Sequence, residues 1–258
     1  MKTFEQFSFL RHGEKQPAGV ERVPLSESGL TAEQQALWQE AAERLGSDID
    51  PELAYESLPA IAKMAKELYE RLPKKAVVVF SSTDRPRTLM TANLLSADLL
   101  ALIQQSEEKQ ISVEFLLEPK WDQNREGIAH PAHGIDERWL TTARALEGDT
   151  LVDEYIEHGG ARSHERELEV FFRIIQNDLQ RSDSLIRQRA EELRLQVEDL
   201  YKKFADEGTS VFFYGVGHIS SLVALDVAFN GRKKYESVDD MPKPLELWKV
   251  KTFPEQQT

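Results

Sequence analysis

The sequence predicts an α/β protein: a three-layer sandwich in which helices flank a mostly parallel central sheet. Three observations lead there. Short apolar runs alternate with long segments of helical periodicity. One of those runs, Ala76–Phe80 (AVVVF), is continuous and β-branched, as expected of a strand covered on both faces. The 258 residues suffice for one large domain with a sizeable core, and residues 1–258 are read as a single domain.

Phe7 to Leu10 is the first strand, and a polar loop runs from it to Gly29. The first helix is expected to start at Thr31, because TAEQ has capping-box form with Gln34 at the reciprocal position. A second helix covers Leu58 to Leu72, with Pro59 tolerated in its first turn. Ala76–Phe80 is the second strand, and a helix comes next, from Arg87 to Gln104. Ile111–Leu117 (ISVEFLL) reads as the third strand, and residues 118–133, with prolines at 119 and 131, read as loop. Ser210–Val216 (SVFFYGV) is the fourth strand, with a helix after it at ISSLVALDVAF. Leu245–Val250 is a late edge strand.

The stretch between the third and fourth strands is mostly helical. Leu168, Phe172, Ile175 and Leu179 form one apolar stripe. Ile186, Ala190, Leu193, Val197, Leu200 and Phe204 form another, too short for a free coiled coil and suited to packing on a sheet. Neither Gly nor Pro separates them, so one long helix and a hairpin turning near Arg181–Ser184 both fit.

Composition excludes several classes. Lys and Arg number 32 against 45 Asp and Glu, a net charge of −13 that argues against nucleic acid as a partner. No stretch approaches the ~20 apolar residues of a membrane-spanning helix, and the N-terminus lacks the pattern of a signal peptide. A cytoplasmic protein without a membrane partner is expected. With no cysteine in the chain, disulfides, thiolate zinc sites and cysteine nucleophiles are ruled out. There is no GxxxxGK[ST] or GxSxG segment, and Asp48–Asp50 (DID) lacks the strand that would precede a phosphatase Asp-x-Asp. His130 and His133 in HPAH are a poor metal pair with no third ligand in view, so they are read as loop residues.

The polar residues are informative by position. Directly after the first strand come Arg11 and His12; after the second, Ser81, Ser82, Thr83, Arg85 and Arg87; after the third, Glu118 and then Glu126; after the fourth, His218. Open α/β sheets bind ligands beyond the carboxyl ends of their strands. If these strands are neighbours, arginines and histidines converge on one crevice, suited to a phosphate-like substrate.

These same segments resemble the histidine phosphatase superfamily, the phosphoglycerate-mutase-like fold. FLRHGE matches its strand followed by Arg-His-Gly. PLSESGLTAEQ resembles its PLTxxGxxQA segment. STDRPRTLMTA resembles its SPLxRAxxTA segment and aligns Arg87, rather than Arg85, with the second phosphate arginine. FFYGVGHISSLVAL resembles the late strand, second histidine and helix. Four segments in the right order make a specific signal. They leave residues 128–181 uncovered, and this stretch is read as an insertion or cap. RHGEKQP and STDxxRTLM resemble the acid-phosphatase branch, which has Asp after its second histidine; here that position is Ile219. GHISSL resembles the other branch, in which a Glu after the third strand donates the proton. Glu118 fits that pattern, while Asp122 and Glu126 stand in the same loop. The mutase subgroup's longer signature around this Glu is absent, which argues against phosphoglycerate mutase activity.

The resemblance implies a phosphatase that uses no cofactor and no metal. His12 would be the nucleophile and form a phosphohistidine. Arg11, Arg87 and His218 would hold the phosphoryl oxygens, and Glu118 would act as acid and then base. Gly13 is expected to let the backbone turn sharply beside the phosphate. Glu14, Lys15, Thr83, Arg85 and Glu126 are candidates for contact with the substrate, which is expected to be a small phosphorylated metabolite. A protein phosphatase acting on phosphohistidine, phosphoserine or phosphotyrosine is the alternative, as is a catalytically weak member that binds phosphate or a partner. The sequence does not specify an oligomeric state.

Overall fold

The computed structural model describes residues 4–14, 53–83, 86–106, 108–117, 164–204 and 210–249, with isolated positions between 24 and 39 and between 141 and 153. Among the described residues there is one five-stranded sheet. Its strands are β1 (Phe4–Arg11), β2 (Lys75–Ser82), β3 (Gln110–Leu117), β4 (Ser210–Gly217) and β5 (Leu247–Lys249), in the order β3-β2-β4-β1-β5. The first four are parallel; β5 runs antiparallel to β1 at an edge. β4, the last long strand in the sequence, lies between β1 and β2. The strands begin and end within a few residues of the sequence expectation.

Alternation along the strands sorts side chains onto two apolar cores. Phe7 and Phe9 of β1, Val79 of β2 and Phe213 of β4 face one side. Helices α3 (His164–Leu179), α4 (Leu185–Phe204) and α5 (Ile219–Asn230) cover them. Leu10, Phe80, Tyr214 and Val216 face the other side, under α1 (Leu58–Arg71) and α2 (Pro86–Gln105). The result is the expected three-layer α/β sandwich. α5 is apolar around most of its circumference because it is enclosed: Ile219, Leu222, Val223, Ala224, Leu225 and Phe229 are all buried. It ends at Gly231, whose left-handed backbone (φ 66°) sends its N–H back to the Asp226 carbonyl.

The open question between β3 and β4 resolves as a hairpin. α3 stops at Leu179 and α4 starts at Leu185. The break is made by Asp178, which is buried at the end of α3. Its carboxylate accepts the Leu185 N–H at 3.1 Å, the Ile186 N–H at 2.9 Å and the Ser184 hydroxyl at 2.6 Å. Ser184 Oγ in turn accepts the Arg187 N–H at 3.2 Å. Two residues thus satisfy the first amides of α4. Of the expected insertion at 128–181, residues 164–179 are α3, and Val170, Phe171, Ile175 and Leu179 belong to the main core. Most of the remainder lies outside the described residues.

Positions 32, 35, 36, 38 and 39 are helical, and the Gln35 N–H bonds to the Thr31 carbonyl at 2.9 Å, as a helix starting at Thr31 requires. Gln34 of the expected capping box lies outside the described residues. Among the described residues, no helix is long and apolar enough to cross a membrane.

Candidate active site

Three adjacent parallel strands end at one level. Arg11 of β1 stands opposite Gly217 of β4, and Ser82 of β2 stands opposite Val216 of β4. The next residues of β1 and β4 are His12 and His218, and α2 carries Arg87 in its first turn. Sheet register, not sequence proximity, brings these four side chains together. His218 also immediately precedes α5, so the positive end of that helix dipole faces the same place.

All four residues are buried: Arg87 and His12 are 3% exposed, His218 2% and Arg11 6%. The rings of His12 and His218 lie with centroids 4.7 Å apart in an edge-on arrangement. Burial, followed by the positive fields of Arg87, His218 and Arg11, holds His12 well below the ordinary imidazole range. His12 Nδ1 lies 2.6 Å from the Gly13 carbonyl oxygen. A carbonyl only accepts, so Nδ1 carries the proton. In the neutral ring the lone pair is then on Nε2.

The backbone around His12 is fixed from several directions. Its N–H donates to the Gly217 carbonyl at 3.2 Å. The Gly13 N–H donates to Thr91 Oγ at 3.0 Å, and Thr91 Oγ donates to the Arg87 carbonyl at 2.7 Å. One threonine therefore ties the His12 segment to the turn that bears Arg87. The Glu14 N–H donates to Ser57 Oγ at 2.8 Å, and the Ala54 N–H donates to the Glu14 carbonyl at 2.9 Å. Arg11 is held from the C-terminal side: its Nη1 donates to the Pro242 carbonyl at 3.0 Å, and its own carbonyl accepts the Leu245 N–H at 3.1 Å. Leu245 adopts a left-handed backbone (φ 56°) to make that contact, an uncommon conformation for a branched residue.

Gly13 departs from expectation. Its φ is not in the left-handed region; the residue is glycine because there is no room for anything larger. A Cβ there would lie 2.7 Å from Leu53 Cδ1 and 2.9 Å from Ser57 Oγ.

Thr83 is buried, with its hydroxyl hydrogen-bonded to that of Thr88, and Ser82 Oγ donates to the Thr83 carbonyl at 2.9 Å. The first of these bonds joins the end of β2 to the first turn of α2. Glu14 is solvent-exposed beside the site. Lys15, Arg85, Glu118, Asp122, Glu126, His130 and His133 lie outside the described residues. Among the described residues, no group of three or more His, Asp or Glu is placed to hold a metal ion.

Sequence reasoning passed over Ser57 and the bridging role of Thr91. Thr91 stands four residues after Arg87 in a helix, where a threonine hydroxyl can reach back to the carbonyl one turn earlier. That spacing was the available signal. Ser57, directly before a helix, reads as an ordinary cap, and nothing local connects it to Gly13.

The arrangement is a buried, neutral imidazole in a positive field at the open end of a parallel sheet. It can receive an anion, and it can attack an electrophilic centre that the anion carries.

Neither a protein-family model nor a curated protein matches the chain. Among solved structures it is similar to the phytase from D. castellii, at 13% sequence identity and a TM-score of 0.41. The match covers 89% of this chain and 62% of that one, so the chain spans less than two thirds of the phytase's length.

Proposed function

We propose that the protein is a phosphatase that hydrolyses a phosphomonoester through a phosphohistidine on His12. The observation that carries this reading is the state of His12: Nδ1 protonated and bonded to Gly13, the ring kept neutral by burial and by Arg87, His218 and Arg11. The Nε2 lone pair attacks phosphorus and the ester P–O bond breaks. Arg11, Arg87 and His218 hold the phosphoryl oxygens, over which charge is spread in the transition state. An acid protonates the leaving oxygen, and we assign that role to Glu118, which comes directly after β3 in the sequence. As carboxylate, Glu118 then takes a proton from water; the water oxygen bonds to phosphorus, the P–N bond breaks, and inorganic phosphate leaves. The arginines supply the charge stabilisation, so the scheme invokes no metal.

The substrate we assign is a small phosphorylated metabolite. Residues 128–163, the part of the expected cap that precedes α3, supply enough chain to cover the mouth of the site, and Glu14, Lys15, Thr83, Arg85 and Glu126 are the proposed substrate contacts.

The test is hydrolysis of a generic aryl phosphate with excess chelator, comparing wild type with His12→Ala. The expected result is chelator-resistant turnover that falls by on the order of 10³-fold or more in the variant. Acid-quenched and alkali-quenched samples should differ, because a P–N bond is labile to acid and stable to base. Equal activity in the variant, or an acid-stable phosphoprotein, overturns the scheme.

A further inference from the structure

Ser57 sits where a serine would ordinarily cap a helix. It is the residue directly before α1, yet its side chain makes no cap bond to that helix. It is 3% exposed, and its hydroxyl accepts the Glu14 N–H at 2.8 Å instead. That N–H belongs to the same planar peptide unit as the Gly13 carbonyl, and the Gly13 carbonyl accepts His12 Nδ1 at 2.6 Å. A peptide plane held at its N–H cannot rotate its C=O away. A donated N–H also polarises the carbonyl at the other end of the amide and makes it a better acceptor. The Ala54 N–H, bonded to the Glu14 carbonyl at 2.9 Å, holds the next peptide as well. Gly13 packs so closely on Ser57 that a Cβ would stand 3.0 Å from the serine Cβ.

We propose that Ser57 is a positioning residue for His12: through the peptide joining Gly13 and Glu14, it fixes which imidazole nitrogen carries the proton. Ser57 touches no reacting atom. It acts two hydrogen bonds away, by aiming the carbonyl that selects the Nδ1–H tautomer and leaves Nε2 as the nucleophilic atom. The consequence for turnover rests on the phosphatase reading; the tautomer itself does not.

The experiment uses the full chain labelled with ¹⁵N-histidine, as wild type, Ser57→Ala and Ser57→Thr. His12 signals are identified by their loss in His12→Gln. In wild type and Ser57→Thr, His12 should show a single Nδ1–H tautomer. In Ser57→Ala it should show a mixture, with aryl-phosphate kcat down about tenfold to a hundredfold, the range seen when the hydrogen-bond partner that orients a metal-ligating histidine is removed. KM should stay nearly constant, and Ser57→Thr should recover kcat. A pure Nδ1–H tautomer with undiminished kcat in Ser57→Ala overturns the proposal. So does Glu14 amide exchange in wild type at the rate of an exposed loop, a measurement that stands even if Ser57→Ala does not fold. The two readings fail separately. A chain that turns over no aryl phosphate, but whose His12 tautomer depends on Ser57, keeps the positioning role and loses the phosphatase. Turnover with a tautomer indifferent to Ser57 does the reverse.

Discussion

Replacing Gly13 by alanine adds one methyl group where the structure has no space for it. The new Cβ would lie 2.7 Å from Leu53 Cδ1, 2.9 Å from Ser57 Oγ and 3.0 Å from Ser57 Cβ. Non-bonded carbons rest at about 3.5–4.0 Å, so Leu53 would have to retreat by roughly 1 Å. Leu53 is fully buried, and Ser57 is held by the Glu14 amide. The strain therefore passes into the backbone of the segment that carries His12. Overpacking of this kind costs about 1–3 kcal/mol. At about 2–4 °C per kcal/mol for a chain of this size, Tm should fall by roughly 2–12 °C. Turnover measured well below Tm should fall too, because the displaced carbonyl is the one that holds Nδ1. Leu53→Ala alone should cost about 2–5 kcal/mol through its cavity. In Gly13→Ala/Leu53→Ala the added methyl has somewhere to go, so the double variant should be more stable than the two single losses imply, by about 0.5–3 kcal/mol. Urea melts of the four proteins measure this. Strictly additive losses, or a Gly13→Ala variant with wild-type Tm and turnover, would show that close packing is not why this position is glycine.

The same geometry sets the outcome of two further perturbations. Arg87 contributes more than either other charge to holding His12 down, so Arg87→Leu should move the acid limb of the kcat/KM profile to higher pH. The sign for stability is fixed by linkage. His12 has a lower pKa folded than unfolded, so between those two values the unfolded chain binds more protons. Stability is lost as pH falls through that window below the ordinary imidazole range; the window narrows in Arg87→Leu, and urea midpoints across pH would show it. Separately, Asp178→Ala strands the amides of Leu185 and Ile186, and should cost about 1–3 kcal/mol with turnover unchanged, read from urea melts and the aryl-phosphate assay.

How much of the structure is legible in the sequence depends on how local the cause is. Ala76–Phe80 and Ser210–Val216 read as strands because a parallel strand buried on both faces needs an unbroken apolar run. The early part of β1 does not read that way: Glu5 and Gln6 are polar, and the strand starts earlier because Phe4 and Gln6 pair with Val211 and Phe212 of β4, with the register shifting at Glu5 between them. The break between α3 and α4 is illegible for a related reason. RSDS contains no Gly or Pro, and the chain turns because Asp178, in the last turn of α3, accepts the first amides of α4. Arg11, His12, Arg87 and His218 can be found because neighbouring parallel strands deliver the residues at their carboxyl ends to one edge. The order β3-β2-β4-β1-β5, which makes β1, β4 and β2 neighbours, is set by long-range pairing that no segment announces. Ser57, and the Gly13 side of Thr91's bridge, stay hidden because those partners are backbone atoms of a loop distant in sequence.

The electrostatics of the site give its strongest stability prediction. Arg11, Arg87 and His218 are nearly inaccessible to water, and with His12's own burial their combined field makes a positive charge on His12 unfavourable. The same field favours a negative charge at that point, and burial keeps it little screened by salt. An anion that binds only the folded chain stabilises it by mass action, about 2.7 kcal/mol at a hundredfold excess over Kd. For a chain of this size that is a rise in Tm of roughly 5–11 °C. Phosphate also stabilises proteins by exclusion from their surfaces, so a rise alone proves nothing. The site-specific part is the difference between wild type and Arg87→Leu, titrated with phosphate and vanadate at constant ionic strength. The variant should keep the exclusion effect and lose the saturable component. If the two proteins respond identically, the positive field at His12 is not directed at an anion, and the case for a phosphoryl substrate loses its electrostatic support.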